Sequence, residues 1–420
     1  SFQADKDIKN LFLCNGYSIK KVDLSNNSTK SVDFEANFNY KPAAERQYLF
    51  DHIWRQVKDK FYDPKLHGVD WEGYRKTYEK FLPYINNNYD FKEMLSEMLG
   101  ELNASHTGAR FRPAGAILQT AQLGAFFDPS YTGDGLKIQE IIKRGPFAVK
   151  KTDVTPGCII ESIDGEPIKT GMDYYPLLDG KAGKNVRLGI KTAKGKKMDV
   201  TIKAISQGEL TELLYKRWVD RNRQLVDSLS GGRLAYVHVQ AMNSPSFRTV
   251  YSELLSDKNR NREAAIVDER HNGGGWLHDD LCTLLSGKQY QEFVPHGKVV
   301  GHDPFNKWVK PSCVMICEDD YSNGHGFPWV YKELGIGKLI GTPVAGTMTA
   351  VWWETLMDRS LVFGIPQVGC RDMRGVFNEN TQLNPDVEVY NTPEDFINGH
   401  DAQLERAVKV MLQSLDNKKT

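Results

Sequence analysis

Two loops far apart in this chain carry the residue types needed to attack a carbonyl group. Leu102-Asn-Ala-Ser-His-Thr-Gly108 offers an imidazole at His106, and Tyr321-Ser-Asn-Gly-His-Gly-Phe-Pro328 offers a hydroxyl at Ser322. A hydroxyl holds its proton too tightly to be a good nucleophile at neutral pH, so an enzyme that uses one sets an imidazole within hydrogen-bond reach. Between them lies Val267-Asp-Glu-Arg-His-Asn-Gly-Gly-Gly-Trp276, whose glycines free the backbone to aim N–H groups at a developing oxyanion. Nucleophile (Ser322), base (His106) and oxyanion donors (the glycine loop) can all be named, and the chemistry they suit is acyl transfer.

Each residue also has a plainer reading. A histidine in a loop is ordinarily a surface or packing residue, and a serine beside glycine is ordinarily turn chemistry. The glycine run could be a flexible loop or a phosphate cradle, but no Gly-Lys-Ser/Thr follows it, which excludes a P-loop. His271 and His325 read as packing or substrate-lining residues. Glu318-Asp319-Asp320 reads as a solvated strand end and not as a metal site, because adjacent carboxylates alternate sides in extended chain. Trp352 and Trp353 read as core or interface packing, with a place in a substrate channel as the alternative.

The elements that must position these loops follow from periodicity. Leu11 to Leu24 reads as two strands around an Asn15-Gly16 turn, the end of a larger β structure. Tyr48, Ile53, Trp54, Val57 and Phe61 recur at helical spacing, as do Phe91, Met94, Leu95, Met98 and Leu99, with Asp90 and Glu93 as a capping pair. From Gln119 to Ile205 short strands alternate with Gly and Pro turns. A helix through Leu210, Leu214, Trp218 and Leu225 leads into alternating strands (Leu234–Val239, Ala264–Val267, Val314–Ile316) and helices, the pattern of an α/β layer. The expected organisation is 1–40 as the β-strand remnant of an upstream β domain, 41–118 helical with the base-bearing loop, 119–207 β-rich, and 208–420 the α/β catalytic domain. The Lys418-Lys419 tail is expected to fray.

Composition sets the partners. Lys plus Arg equals Asp plus Glu at 54 each, so no global field attracts nucleic acid or an anionic membrane. The apolar runs are strand-sized, far short of the roughly 20 residues that span a bilayer. The six cysteines form no CxxC pair and read mostly as reduced core residues. The chain opens at Ser1 without a leader, which fits a trimmed periplasmic protein, with a cytoplasmic home as the alternative.

Val154-Thr-Pro-Gly-Cys-Ile-Ile-Glu-Ser-Ile-Asp-Gly-Glu-Pro-Ile168 resembles the PDZ pattern, in which a Pro-Gly turn feeds a strand ending in Asp-Gly. That resemblance implies a module that takes an extended peptide as an added strand, with Gly124, Ala125, Phe126 and Phe127 as the carboxylate-facing loop. The wider region from Ala43 to Leu415 resembles the tricorn-like serine peptidases, relatives of the C-terminal-processing peptidases. The Glu101-to-Gly108 loop, the PDZ insertion, Asn272-Gly-Gly-Gly275 and Ser322 before Gly-His-Gly-Phe-Pro carry the resemblance, in that order along one chain.

The resemblance implies a multidomain α/β fold with a ClpP/crotonase-like catalytic domain, a small helical domain and an inserted PDZ-like domain. It also implies a Ser-His-Ser-Glu tetrad of Ser322, His106, Ser105 and Glu379, acting without cofactor or metal on peptides or unfolded polypeptides, with a possible homo-oligomer. The processing relatives use a lysine base, and the corresponding run Gly341-Thr-Pro-Val-Ala-Gly-Thr-Met-Thr-Ala350 has none, which leaves His106. Asn323 stands where the family usually has Asp, and the resemblance implies an oxyanion hole made by its backbone N–H, which Asn preserves, and by that of Gly273 or Gly274. Two rivals remain: a peptide-binding protein whose catalytic site has decayed, and an acyl-CoA hydrolase or lyase on a crotonase-like scaffold. From the reference imidazole pKa of about 6.5, activity is expected to fall below roughly pH 6.

Overall fold

The computed structural model describes every residue except 17, 36–38, 114, 116–117, 150–151 and 418–420, so the Lys418-Lys419 tail lies outside the described residues. Its centre is a parallel sheet in which Leu234–His238, Ala264–Asp268, Ser312–Ile316, Lys338–Gly341 and Val387–Glu388 lie side by side in that order. The first three strands are buried at every position, the near-continuous apolar run demanded of strands covered on both faces. Alternation then sorts the side chains. Ala235, Val237, Val267, Val314 and Ile316 meet Val250, Leu281, Phe327 and Tyr331 from helices Ser244–Leu254, His278–Leu285 and Asn323–Glu333. Tyr236, Ile266, Cys313 and Met315 meet Val226, Leu404 and Val408 from helices Gln207–Ser230 and Ala402–Asp416. Because the strands are parallel, the loops that follow Asp268, Ile316 and Gly341 all leave from the same sheet edge, where such sheets build their sites.

Helices Pro42–Lys60, Trp71–Glu79 and Asn88–Gly100 bury Phe50, Ile53, Val57, Phe91, Leu95 and Met98 against Leu361, Phe363 and Ile365 of a hairpin strand. The helical periods match the sequence reading, but the last cap does not. Asn87, not Asp90, caps helix Asn88–Gly100, its side chain accepting the Asp90 N–H at 2.9 Å. Asn places its carbonyl one turn earlier, and Asp90 becomes an acid in the first turn, where the helix dipole favours it.

The β-rich region forms an antiparallel sheet in the order Lys197–Lys203, Asn185–Lys191, Ile159–Ile163, Leu136–Ile141, Ala125–Phe127, with Glu166–Pro167 also paired to Ile159–Ile163. The Asp164-Gly165 turn takes positive φ at both residues (51° and 96°), which a tight hairpin requires. At the N-terminus Phe2–Ala4, Asn10–Cys14, Ile19–Asp23 and Thr29–Val32 make a four-stranded antiparallel meander, with the expected turn at Gly16. Cys158, Cys282, Cys313 and Cys317 are buried, Cys14 is exposed and Cys370 half-buried; none is in a disulfide. Among the described residues no helix is long and apolar enough to cross a membrane.

A three-stranded antiparallel sheet joins the helical region to the α/β layer. Its strands are Thr349–Thr355, Leu361–Gly369 and Ala109–Phe111, the last following directly on His106-Thr107-Gly108. Phe363 pairs with Ala109, and the Gly364 N–H donates to the Gly108 carbonyl at 3.0 Å. A Cβ on Gly364 would lie 2.3 Å from the His106 carbonyl oxygen and 3.0 Å from the Trp353 ring. Gly364→Ala must therefore push the His106 loop off its strand. Hydrogen exchange of the amides from 105 to 111 is expected to speed up in this variant while the parallel sheet stays protected; unchanged exchange in that segment would refute the packing argument.

Candidate active site

Ser322 sits at the turn between the buried strand Ser312–Ile316 and helix Asn323–Glu333, with φ 58° and ψ −119°. A side chain held there costs on the order of 1–3 kcal/mol and persists only where its surroundings over-determine it. Here they do. The Ser322 N–H donates to Thr347 Oγ1 at 2.8 Å, the Gly324 N–H to the Tyr321 carbonyl at 2.9 Å, and the Tyr321 N–H to the Asn272 carbonyl at 2.9 Å. The sharp strand-to-helix turn presents the hydroxyl at the top of the sheet, the geometry of a nucleophile elbow. Gly274 lies beneath it at φ +94°, where a Cβ would sit 2.6 Å from Ser322 Cβ and 2.7 Å from the Tyr321 carbonyl oxygen, so only glycine fits.

His106 also has positive φ, 63°. Its backbone N–H donates to the Tyr321 hydroxyl at 2.7 Å, and its ring lies 4.9 Å from the Tyr321 ring, so the residue before Ser322 clasps the loop of His106. His106 Nδ1 is 2.8 Å from Ser105 Oγ and 3.0 Å from Thr349 Oγ1. The Ser105 hydroxyl donates to Glu379 Oε2 at 2.9 Å and the Ser105 N–H to Oε1 at 2.5 Å. With its proton committed to Glu379, Ser105 Oγ accepts from Nδ1–H, which leaves the Nε2 lone pair free. Burial pushes the His106 imidazole down to about 4. Burial also raises the Glu379 carboxyl above its ordinary range, against the two hydrogen bonds from Ser105.

His106 and Ser322 line one cavity of about 560 Å³, together with Gly273, Gly274, Asn323 and Arg110. No hydrogen bond joins the two side chains; both open onto the space between them. The Gly274 N–H is committed to Asn272 Oδ1 at 2.9 Å, whereas the N–H groups of Gly273 and Asn323 have no hydrogen-bond partner among the described residues. Of the two glycines named from sequence, Gly273 is thus the one with a donor to spare. The Asn323 N–H adds the positive end of a helix.

The other residues named from sequence fall in different places. Trp353 lines the cavity, while Trp352 is 68% exposed and so is not core packing. His325 is fully buried, with neither ring nitrogen hydrogen-bonded, and His271 is exposed and pairs with Asp319 at 2.9 Å; neither lines the cavity. Asp320 is not a solvated strand end. It is buried, accepting the N–H of Asn272 at 3.0 Å and of Cys317 at 2.8 Å, and it ties the glycine loop to the serine loop. Burial pushes its carboxyl well above the ordinary range in spite of those two bonds. His271, Cys317 and Asp319 bring potential ligand atoms within 4.8 Å of one another, but they are already hydrogen-bonded among themselves, the Cys317 thiol to Asp319 Oδ1 at 2.7 Å. The Gly124-to-Phe127 segment lies away from this cavity, at the end of the antiparallel sheet. Gly124, at φ +73°, is pressed against Pro146, whose Cδ would be 2.4 Å from a Cβ there.

Sequence reasoning missed Tyr321, Thr347, Thr349 and Asp320. Tyr321 could have been suspected from its place beside Ser322. The two threonines lie in the run read only for its lack of lysine, and nothing local marks them.

Comparison with known proteins agrees with this architecture. Three family models match in chain order: the tricorn protease C1 domain over 42–100, the tricorn protease PDZ domain over 131–207, and peptidase family S41 over 233–389. A putative tricorn-like protease C-terminal subunit of Sulfurisphaera tokodaii is 29% identical over 90% of this chain and 44% of its own length. The tricorn protease of Thermoplasma acidophilum is 27% identical over 88% of this chain and 35% of its own. A crystal structure of the tricorn protease superposes with a TM-score of 0.87 at 23% identity, over 99% of this chain and 41% of that one. The chain spans less than half the length of these relatives. The chain thus carries, in order, segments matching the tricorn protease C1 domain, the tricorn protease PDZ domain and peptidase family S41, and it shares the fold of the tricorn protease.

Proposed function

We propose that this chain is a serine peptidase that hydrolyses peptide bonds in peptides or unfolded polypeptides through an acyl-enzyme, using Ser322, His106, Ser105 and Glu379. The observation that carries the reading is the shared cavity. Ser322 Oγ and the free face of His106 open onto it beside two unused N–H donors, and a hydrogen-bonded line runs behind the imidazole to Glu379.

His106 Nε2 takes the Ser322 proton as Oγ bonds to the scissile carbonyl carbon, and the carbonyl oxygen gains charge facing the N–H groups of Gly273 and Asn323. The C–N bond then breaks as His106 returns the proton to the leaving amine. Water repeats the sequence, with His106 as base again, and frees the acid product. Ser105 fixes the tautomer, and the Glu379 carboxylate behind it favours the imidazolium formed during attack. The ClpP/crotonase-like description suits the catalytic part, because the donors stand on loops at one edge of a parallel sheet, while the proposed division at about 41, 119 and 208 is crossed by the pairing of Ala109–Phe111 with Leu361–Gly369. Ala125–Phe127, an end strand of its sheet, pairs with no strand on its outer edge among the described residues, which suits peptide binding by strand addition to the PDZ-like part.

A fluorophosphonate probe is expected to label Ser322 stoichiometrically, and labelling is expected to be lost in Ser322→Ala and to fall at least about a hundredfold in rate in His106→Ala. Absence of labelling in the wild type would instead favour a decayed peptide-binding protein, and turnover of thioesters but not peptides would favour the acyl-CoA reading.

The pH profile provides a second test. His106 is a base only when uncharged, and burial disfavours its charged form, so the acid limb of kcat/KM is expected near pH 4, not at the pH 6 suggested by the reference imidazole. A limb at or above pH 6 would show that the imidazole in the free enzyme is not desolvated as its surroundings imply.

The donors differ in what they tolerate. Asn323→Asp keeps the backbone N–H and is expected to keep activity within about tenfold, whereas Gly274→Ala forces the Ser322 turn apart and is expected to lose it by a factor of about 100 or more. Equal loss in both, measured as labelling rate on folded protein, would remove the distinction between backbone donor and side chain.

A further inference from the structure

The cavity shared by His106 and Ser322 holds a cation that pairs with nothing among the described residues. Arg110 extends into it from the strand Ala109–Phe111, four residues beyond His106 in the chain, and is exposed. Its guanidinium carbon lies 3.7 Å from the centroid of the Trp353 ring, and it makes no hydrogen bond or ion pair among the described residues. Several other arginines are tied down: Arg270 to Asp268 and Asp401, Arg233 to Glu263 and Asp416, Arg75 to Asp51. No carboxylate among the described residues lines the cavity, since Glu379 stands behind Ser105. The imidazole of His106, uncharged through burial, adds no second cation.

Stacking changes what this arginine can do. A free guanidinium on a long side chain loses much rotamer entropy when it captures a ligand, but one held flat on an indole has lost part of it already. Stacking uses a ring face and leaves the N–H groups at the rim for a planar anion, the two-point geometry of arginine with carboxylate. Trp353 can lie there because its strand partner is Gly364, whose missing side chain makes room for the indole.

We infer that the cavity selects peptides bearing a carboxylate close to the bond that is cut, with Arg110 as the group that recognises it. The inference rests on the serine-peptidase reading and deepens it by naming the substrate class. The carboxylate is that of an acidic side chain or of a peptide C-terminus; the chemistry is shared, and the test separates the two.

Binding is measured with Ser322→Ala, which cannot turn substrate over, using three families of fluorescent peptides of scanned sequence. One carries Asp or Glu with an amidated end, one the Asn or Gln isosteres with an amidated end, and one the isosteres with a free C-terminal carboxylate. At low salt the best peptides of the first or third family are expected to bind about tenfold or more tighter than their uncharged counterparts, in line with a charge-assisted hydrogen bond. Whichever family shows the gain names the source. The gain is expected to vanish in Ser322→Ala/Arg110→Gln and to survive only in part in Arg110→Lys, which keeps the charge and loses the fork. Equal binding of all three families, or a preference that outlives Arg110→Gln, overturns the inference. The wild-type enzyme is then given the same peptides. Carboxylate preference without any hydrolysis would sink the peptidase reading while upholding the Arg110 subsite, and hydrolysis without preference would do the reverse.

Discussion

The site depends on one strand pairing. Ala109–Phe111 is only three residues long, yet its register on Leu361–Gly369 carries the loop of His106 out of the helical region and into the α/β layer. Residues this distant in sequence pay a loop-closure cost before they gain any contact, and three backbone pairs would not meet it alone. The pairing is reinforced on both sides. The helical core packs directly on Leu361, Phe363 and Ile365, and beyond it the Tyr321 hydroxyl receives the His106 N–H while Glu379 receives the Ser105 N–H and O–H. The hydrophobic side supplies the free energy of docking. The polar side, with distances of 2.5–2.9 Å, supplies the precision.

The same docking sets the electrostatics. Sealing His106 between Tyr321 and the hairpin removes water from the imidazole and disfavours its charge, which taken alone would make it a poor base. The line through Ser105 to Glu379 acts in the opposite direction. In the proposed reaction, desolvation is felt by the resting imidazole, whereas attraction to a carboxylate grows as the ring becomes charged, so the two effects fall on different points of the reaction coordinate. Glu379 is itself raised by burial, and here Ser105 acts a second time, because its two donated hydrogen bonds favour the ionised carboxylate that an imidazolium at His106 would need. Removing Ser105 would therefore disturb both ends of the line.

Much of this was legible in the chain. Helical and strand periods located the helices Pro42–Lys60 and Gln207–Ser230 and the central strands, because burial on one or two faces writes itself into the order of apolar residues. Loops bearing Ser322, His106 and the glycines were legible because they carry unusual residue types close together. Contacts made across the fold were not. Asp320 looks like one of three exposed acids until Asn272 and Cys317 are seen to donate to it, and the threonines at 347 and 349 act only through partners many residues away. The lack of a partner for Arg110 among the described residues is still less legible, since a missing contact leaves no mark on the sequence. The displaced cap at Asn87 is a smaller case, in which two capping residues stood near one another and propensity could not rank them.

Asn323 shows how a departure from a family pattern can be weighed physically. Its side-chain carbonyl accepts the N–H of Leu277 at 2.8 Å and of His278 at 3.0 Å, and its amide nitrogen lies 2.8 Å from His278 Nδ1. The side chain thus points away from chemistry and caps the start of helix His278–Leu285, closing the far end of the glycine loop. An aspartate could accept the same two N–H groups, but it would offer His278 Nδ1 an oxygen where the ring now finds a donor, and the imidazole would have to turn or move its proton to Nδ1. The amide avoids that demand. Neither residue alters the backbone N–H that faces the cavity, because that donor is fixed by the first turn of helix Asn323–Glu333 and by the strained φ of Ser322 before it. A substitution that looks like decay in one dimension is, in three, a change of partner for His278 that leaves the cavity-facing backbone N–H where the fold puts it.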